Sequence, residues 1–266
     1  MEFYKFDGAG NDFILVDNRQ SQWRPDATQV AALCHRRLGI GADGLMTLSL
    51  PPDGDTASQF SMCYFNGDGS RAAMCGNGGR CIALFAYLLG LATGDAVPHL
   101  RFVADDGPHE ADILLWDAAS QVGMVRLDMC DVSRPSVRRC LDGWLLNTGV
   151  PHYVQRVTDL AHFDVVGEGR RLRRAPEMGE QGANVDFIED RDDGRLMIRT
   201  YERGVEDETW SCGTGVTAAA IVSGNGRVST RGGDFIVDFS VSDDRYHHVS
   251  LTGPVSLNFK GEVAAL

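Results

Sequence analysis

Met74-Cys75-Gly76-Asn77-Gly78-Gly79-Arg80 and Ser211-Cys212-Gly213-Thr214-Gly215 decide how this chain is read. In each, a cysteine and nearby glycines stand just ahead of a stretch that reads as a helix. The first stretch is 81–89, closed by Gly90, and the second is 216–222, closed by the Gly224-Asn225-Gly226 cluster. A thiol placed there meets unpaired backbone N–H groups and the positive end of the helix dipole. That environment is expected to lower its pKa and favour the thiolate. Either loop alone is a weak signal, because free cysteines are commonly small buried hydrophobes and Gly-rich turns before helices are frequent. The repetition gives the pair its weight and suggests two acid/base groups, one per half of the chain.

Working outward, 1–7 and 13–17 read as strands around the turn-rich Gly8-Ala9-Gly10-Asn11-Asp12. Asp26 reads as an N-cap, with Gln29 completing a capping box, for a helix running to about Leu38. A Gly-rich loop at 39–44 leads to a strand at 45–50. Another strand at 59–65 ends in the hairpin turn Asn66-Gly67-Asp68-Gly69. Short strands fill 99–127, and the small-residue Ala118-Ala119-Ser120 reads as the link between halves. The second half then retraces the first. Asn147-Thr148-Gly149-Val150-Pro151-His152 repeats the turn into a strand, 159–162 suggests a short helix, and 196–202 is a strand before Cys212. Gly10 to Gly149 and Cys75 to Cys212 are nearly the same distance apart in sequence, which argues for a duplicated domain. The expected fold is α+β, with two pseudo-symmetric β-rich domains, each a curved mixed sheet or barrel wrapped around a central helix. Domain one is expected at 1–118, with 255–266 returning to it, and domain two at 119–254. The two helix N-termini are expected at a cleft between them, where ligand sites often lie.

Composition narrows the function. The 266 residues are 43% hydrophobic and 23% charged, as in ordinary globular chains. A net charge of −12 argues against a nucleic-acid or anionic-membrane partner. No run of 18 apolar residues exists, and the N-terminus lacks a signal-peptide pattern, so a cytoplasmic location is expected. The seven cysteines are expected as reduced thiols, and no Cys-x-x-Cys or Cys/His spacing suggests a metal site. The basic stretch 170–174 reads as a solvated strand edge or loop. Lys5 and Lys260 are the only lysines, and neither sits where a pyridoxal Schiff base would form, so amino-acid chemistry here is expected to need no cofactor.

Backbone N–H groups of Gly76, Asn77, Gly213 and Thr214 could bind the carboxylate of an amino acid between the two helix starts. Removal of its α-proton sends charge onto the same oxygens, which those fixed dipoles would stabilise. A thiolate on one face and a thiol on the other would invert the centre. Each group serves as base in one direction and acid in the other.

The stretches Gly8-Ala9-Gly10-Asn11-Asp12-Phe13, Phe65-Asn66, Asp68-Gly69-Ser70, Met74 to Arg80, Gly182-Ala183-Asn184-Val185-Asp186-Phe187, Glu202-Arg203-Gly204-Val205 and Cys212-Gly213-Thr214-Gly215 resemble the diaminopimelate epimerase family, in order, from residue 8 to about 220. The resemblance implies cofactor-independent interconversion of LL- and meso-diaminopimelate, a step toward lysine and the peptidoglycan cross-link, in a homodimer. It implies Cys75 and Cys212 as the acid/base pair. Asn11, Asn77 and Thr214 would hold the reacting end, and Asn66, Asn184, Glu202 and Arg203 the distal end. Physically, a distal carboxylate and ammonium call for one Arg and one Glu, although a Glu-Arg dipeptide is more often a surface ion pair. His152 falls at the family's Pro-His position and would line the site. Two departures stand out. Val150 replaces a family Asn, with Asn147 a possible substitute, and Gly44 replaces a glutamine of some relatives. Proline racemases and hydroxyproline epimerases share the two cysteines but carry Met-Cys-Gly-His-Gly and a proline before the second, where this chain has Asn77 and Ser211. A phenazine-type isomerase shares the fold without the cysteine pair. A redox sensor with a Cys75–Cys212 disulfide is the reading from a different class.

Overall fold

The computed structural model describes residues 1–20, 23–94 and 96–264. Ser21, Gln22 and Asp95 lie outside the described residues, as do Ala265 and Leu266 at the end of the segment expected to return to the first domain. The chain divides into two compact units, 1–127 with 254–266, and 128–253.

The first unit carries strands β1 (Glu2–Asp7), β2 (Asp12–Asp17), β3 (Gly44–Ser49), β4 (Phe60–Asn66), β5 (Arg71–Ala72), β6 (His99–Ala104), β7 (Gly107–Asp117) and β8 (Val122–Asp128). Helix α1 (Ala27–Cys34) lies between β2 and β3, and α2 (Gly76–Leu88) between β5 and β6. The second unit carries β9 (Val132–Ser133), β10 (Arg138–Cys140), β11 (Gly143–Asn147), β12 (Pro151–Arg156), β13 (Asn184–Asp190), β14 (Leu196–Glu202), β15 (Asp207–Thr209), β16 (Arg227–Ser229) and β17 (Asp234–Val241), with helices α3 (Val165–Arg173) and α4 (Gly213–Ser223). Strand β18 (Arg245–Glu262) starts in the second unit and continues into the first.

Strand pairing repeats between the units. β1–β2 and β11–β12 are antiparallel, and β2–β3 and β12–β13 are parallel. β3–β4 and β13–β14 are antiparallel, and β4–β6 and β14–β16 are parallel. β6–β7 and β16–β17, then β7–β8 and β17–β18, close each series antiparallel. Each parallel pair needs a crossover, which the helices supply. Each unit is thus a mixed α+β sheet with one helix outside and one central helix. Outside, α1 packs on Ile14, Val16 and Leu45, and α3 on Val185, Phe187 and Tyr201. The central helices are buried nearly all round, α2 from Gly76 to Ala86 and α4 over most of its length. A helix apolar on every side must sit inside its sheet.

Local signals explain the ends. Asp26 accepts from the Gln29 N–H while the Gln29 side chain accepts from the Asp26 N–H, forming the expected capping box. Helix α1 nevertheless stops at Cys34 rather than near Leu38. The Asn66–Gly69 turn closes β4 against β5, with Gly69 at φ +86°. Ala118–Ser120 proves to be the turn joining β7 to β8 inside the first unit, anchored by Asp117. Small residues suit a tight turn as well as a linker. The basic stretch 170–174 falls on the last turn of α3 and its cap, not on a strand edge or loop. Arg170, Arg171 and Arg173 there complement the negative end of the helix. The sequence reading missed α3 itself and found only the short turn over Leu160–His162. Residues 255–259 lie in β18 and pair with β1, Phe6 opposite Leu257 and Lys5 opposite Phe259.

Candidate active site

In the first unit Cys75 is the N-cap of α2, and its Sγ accepts from the Gly78 N–H at 3.2 Å. Gly76 and Asn77 open the helix, both buried. Behind them Arg80 is wholly buried, donating to the Gly76 carbonyl at 3.0 Å and to Asn77 Oδ1 at 2.9 Å. Burial pulls this guanidinium down to about 10, against the pull of the Cys81 and Cys75 thiols, so it stays charged at neutral pH. The glycine loop packs on the same helix start: a Cβ on Gly8 would sit 2.9 Å from the Asn77 carbonyl oxygen. From that loop Asn11 donates to Asp43 Oδ2 at 2.7 Å. Asn66 stands at the adjacent turn, its amide donating to Ser70 Oγ at 3.0 Å, and a Cβ on the next residue, Gly67, would meet the Asp43 carbonyl oxygen at 3.1 Å. Lys5 is buried and ion-paired to Asp12 at 2.7 Å, with the Gly41 carbonyl as a second acceptor.

In the second unit Cys212 is the N-cap of α4, and its Sγ lies 3.3 Å from Thr214 Oγ1. The same hydroxyl lies 2.8 Å from His152 Nε2. Asn184 Nδ2 reaches that nitrogen at 3.3 Å, while Asn184 Oδ1 accepts from the Arg203 backbone N–H at 2.8 Å. A backbone N–H can only donate, so the Asn184 amide orientation is fixed and its NH2 faces the imidazole. Nε2 of a neutral His152 is therefore the acceptor, and Nδ1 carries the hydrogen, donated to Asp186 Oδ2 at 2.7 Å. Asp186 Oδ1 accepts from Thr200 Oγ1 at 2.7 Å, and both Asp186 and His152 are fully buried. Thr148 Oγ1 donates to the Thr214 carbonyl at 2.8 Å, tying the β11–β12 turn to the start of α4. Parallel pairing of β12 with β13 sets His152 opposite Asn184, and antiparallel β14 brings Thr200 opposite Asp186.

The expected lowering of the thiol pKa is corrected for Cys212. Burial pushes it well above the ordinary value, and the Glu202 and Asp186 carboxylates push the same way; the Thr214 hydroxyl and Gly215 N–H pull against them. Lost hydration and two negative charges outweigh the helix terminus. Asn147 Oδ1 accepts from the Gly149 N–H at 2.9 Å within its own turn.

Of the residues named from the sequence, Cys75, Gly76 and Asn77 lie at the helix start in one unit, and Cys212, Gly213, Thr214, His152 and Asn184 lie around the helix start in the other. The Arg203 guanidinium reaches Gln181 Oε1 at 3.4 Å, and Glu202 lies close enough to act on Cys212. Three buried residues beside these carry no role in the sequence reading. Arg80 follows Gly76 and Asn77 by one helical turn, Asp186 shares a strand face with Asn184, and Thr200 shares one with Glu202. Helical and strand periodicity could have found each.

Among the described residues, no helix is long and apolar enough to cross a membrane. A family model described as Diaminopimelate epimerase matches residues 3–107 and 144–258. The chain is 38% identical over 270 residues to the diaminopimelate epimerase of Flavobacterium psychrophilum, covering 98% of this chain and 99% of that one. It is 42% identical over 217 residues to that of Chlorobaculum tepidum, covering 81% and 80%. Among solved structures, a probable proline racemase from Agrobacterium radiobacter superposes with a TM-score of 0.70 at 16% identity, covering 99% of this chain and 92% of that chain. A predicted epimerase from Pseudomonas aeruginosa does so at 0.65 and 16%, covering 100% and 99%. These two likenesses speak to the fold, which is the one expected. With relatives this similar over nearly the whole length, the chain belongs to the diaminopimelate epimerase family.

Proposed function

We propose that this protein is an isomerase that inverts one centre of LL-2,6-diaminopimelate to give the meso form, without pyridoxal phosphate, for lysine and peptidoglycan precursor synthesis. The observation that carries the reading is a cysteine at the start of the central helix in each of two repeated units, in a chain of this family. Cys75 and Cys212 act as the acid/base pair: one thiolate takes the α-proton, and the other thiol returns a proton to the opposite face. Backbone N–H groups of Gly76, Asn77, Gly213 and Thr214 hold the reacting carboxylate and stabilise the carbanion formed from it. Asn11 and His152 line this end, and Asn66, Asn184, Glu202 and Arg203 grip the distal amino acid. The protein works as a cytoplasmic homodimer, a state that light scattering on the purified protein measures directly.

The test is proton exchange in D2O followed by NMR. Reduced protein is incubated with LL-diaminopimelate and separately with L-proline, then the Cys75→Ala and Cys212→Ala variants are run alongside. Deuterium at the α-position of diaminopimelate alone, lost in both variants, is the expected result. Exchange with proline instead, or with neither, overturns the assignment.

A further inference from the structure

Beyond this chemistry stands Asp186, to which the sequence alone assigns no role. Its carboxylate is fully buried and spoken for on both oxygens, by Thr200 and by His152. A buried carboxylate against an imidazole fixes which ring nitrogen carries hydrogen. Here it fixes Nδ1, so Nε2 presents a lone pair to the Thr214 hydroxyl 2.8 Å away. A hydroxyl that donates to Nε2 keeps its lone pairs for another donor, and the Cys212 thiol stands 3.3 Å off. Thr200, Asp186, His152, Thr214 and Cys212 therefore form one directed chain.

Gly215 protects this line. A Cβ there would lie 2.5 Å from Asp186 Oδ1 and 3.3 Å from His152 Cε1, so only glycine lets the start of α4 approach the Asp–His pair this closely.

We propose that Asp186 is a positioning residue for Cys212: acting through His152, it opens a route by which the Cys212 proton leaves and returns over the Thr214 hydroxyl. In the forward direction the S–H bond breaks and a bond to Thr214 Oγ1 forms, while the Thr214 O–H bond breaks and an N–H bond forms at His152 Nε2. Cys212 becomes a thiolate, His152 an imidazolium held by the Asp186 carboxylate, and Thr214 is unchanged. The reverse restores the thiol. No other reactant is needed. The charged groups that face the thiol are Glu202 and Asp186, both negative, so an internal proton acceptor answers the repulsion they create. This inference rests on the reading of Cys212 as an acid/base group, but its test does not require turnover.

The test is peptide-resolved labelling of Cys212 by iodoacetamide as a function of pH, on the intact protein and on Asp186→Asn. Asparagine removes a negative charge, which by itself would ease thiolate formation and speed labelling. Loss of the route acts the other way. The route predicts that labelling at neutral pH falls about tenfold, equivalent to about one pH unit in the midpoint. Faster or unchanged labelling overturns it. If Asp186→Asn does not fold, Thr214→Val and Thr214→Ser carry the test: Val is expected to slow labelling comparably and Ser to restore it, and equal rates for the two overturn the route. Where all three variants fold, adding Asp186→Asn to Thr214→Val is expected to speed labelling, because only the charge effect remains; further slowing overturns the proposal. Labelling that behaves as expected in a protein without diaminopimelate exchange would leave the route standing and remove the assigned substrate.

Discussion

Arg80 donates to Asn77 Oδ1 from one helical turn away while fully enclosed by the first unit. A planar fork holds both Asn77 and the Gly76 carbonyl at once, which an ammonium on a flexible stem does not reproduce. Arg80→Lys is therefore expected to lower kcat/KM for diaminopimelate at least tenfold and to cost about 1–3 kcal/mol of stability. Urea unfolding and steady-state kinetics on the same variant check both numbers. Wild-type kinetics in Arg80→Lys would show that Asn77 holds its place unaided.

Gly215→Ala introduces a Cβ where Asp186 Oδ1 would be 2.5 Å away. Either α4 or the Asp–His pair must shift. Turnover is expected to fall about 10²-fold, as small misplacements of a reacting group do, with far-UV circular dichroism unchanged. Near-normal turnover would mean the pair tolerates displacement.

Acid stability centres on Asp12. Burial alone would raise its pKa, but hydrogen bonds from Arg36 and Lys5 hold the carboxyl well below the usual range. A depressed carboxylate stabilises the fold above its unfolded value near 3.8 and loses that contribution as pH falls toward the folded value. Wild type should therefore lose melting temperature faster than Asp12→Asn between about pH 4 and pH 2. At neutral pH Asp12→Asn is expected to cost about 3–5 kcal/mol by stranding the buried Lys5 ammonium. Parallel thermal-melt curves for the two proteins would refute the assignment.

Alkaline stability depends on buried thiols. Burial pushes Cys34 up to about 11, and Cys81 and Cys212 well above the ordinary 9.0. Their folded pKa values exceed the unfolded ones, so the stability they confer is full below pH 9 and is lost as pH climbs through 9 to 11. Melting temperature should drop across that window. Cys34→Ala should flatten the drop while lowering the neutral-pH value, and a pH-independent wild-type curve would contradict this.

Much of the fold could be read because duplication left local marks: a cysteine N-cap and glycines before each central helix, the Asp26–Gln29 box and the Asn-Gly-Asp-Gly hairpin. Helix α3 escaped because Gly167 and Gly169 interrupt a stretch with little apolar periodicity. The structure supplies the reason for the second of these glycines: a Cβ at 169 would fall 2.4 Å from Tyr201 Cβ, so close packing on β14 outweighs helix propensity. The cysteine at the start of each central helix was legible, and the groups packed behind it were not. His152 and Asp186 are brought together by a parallel pairing across α3, and nothing local in either segment announces the other. The direction of the Cys212 shift was missed for the same reason. A helix start can be seen in sequence, but enclosure and the nearby carboxylates cannot.

Strand β18 pairs with β17 near its start, Val241 opposite Tyr246, and with β1 near its end, Glu2 opposite Glu262. On the ribosome, β1 is therefore made well before residues 254–262, which fill one of its edges. The unit begun first gains its full set of strands only after the other has been synthesised. Throughout that interval the nascent chain presents an open β1 edge, a template for pairing with another chain.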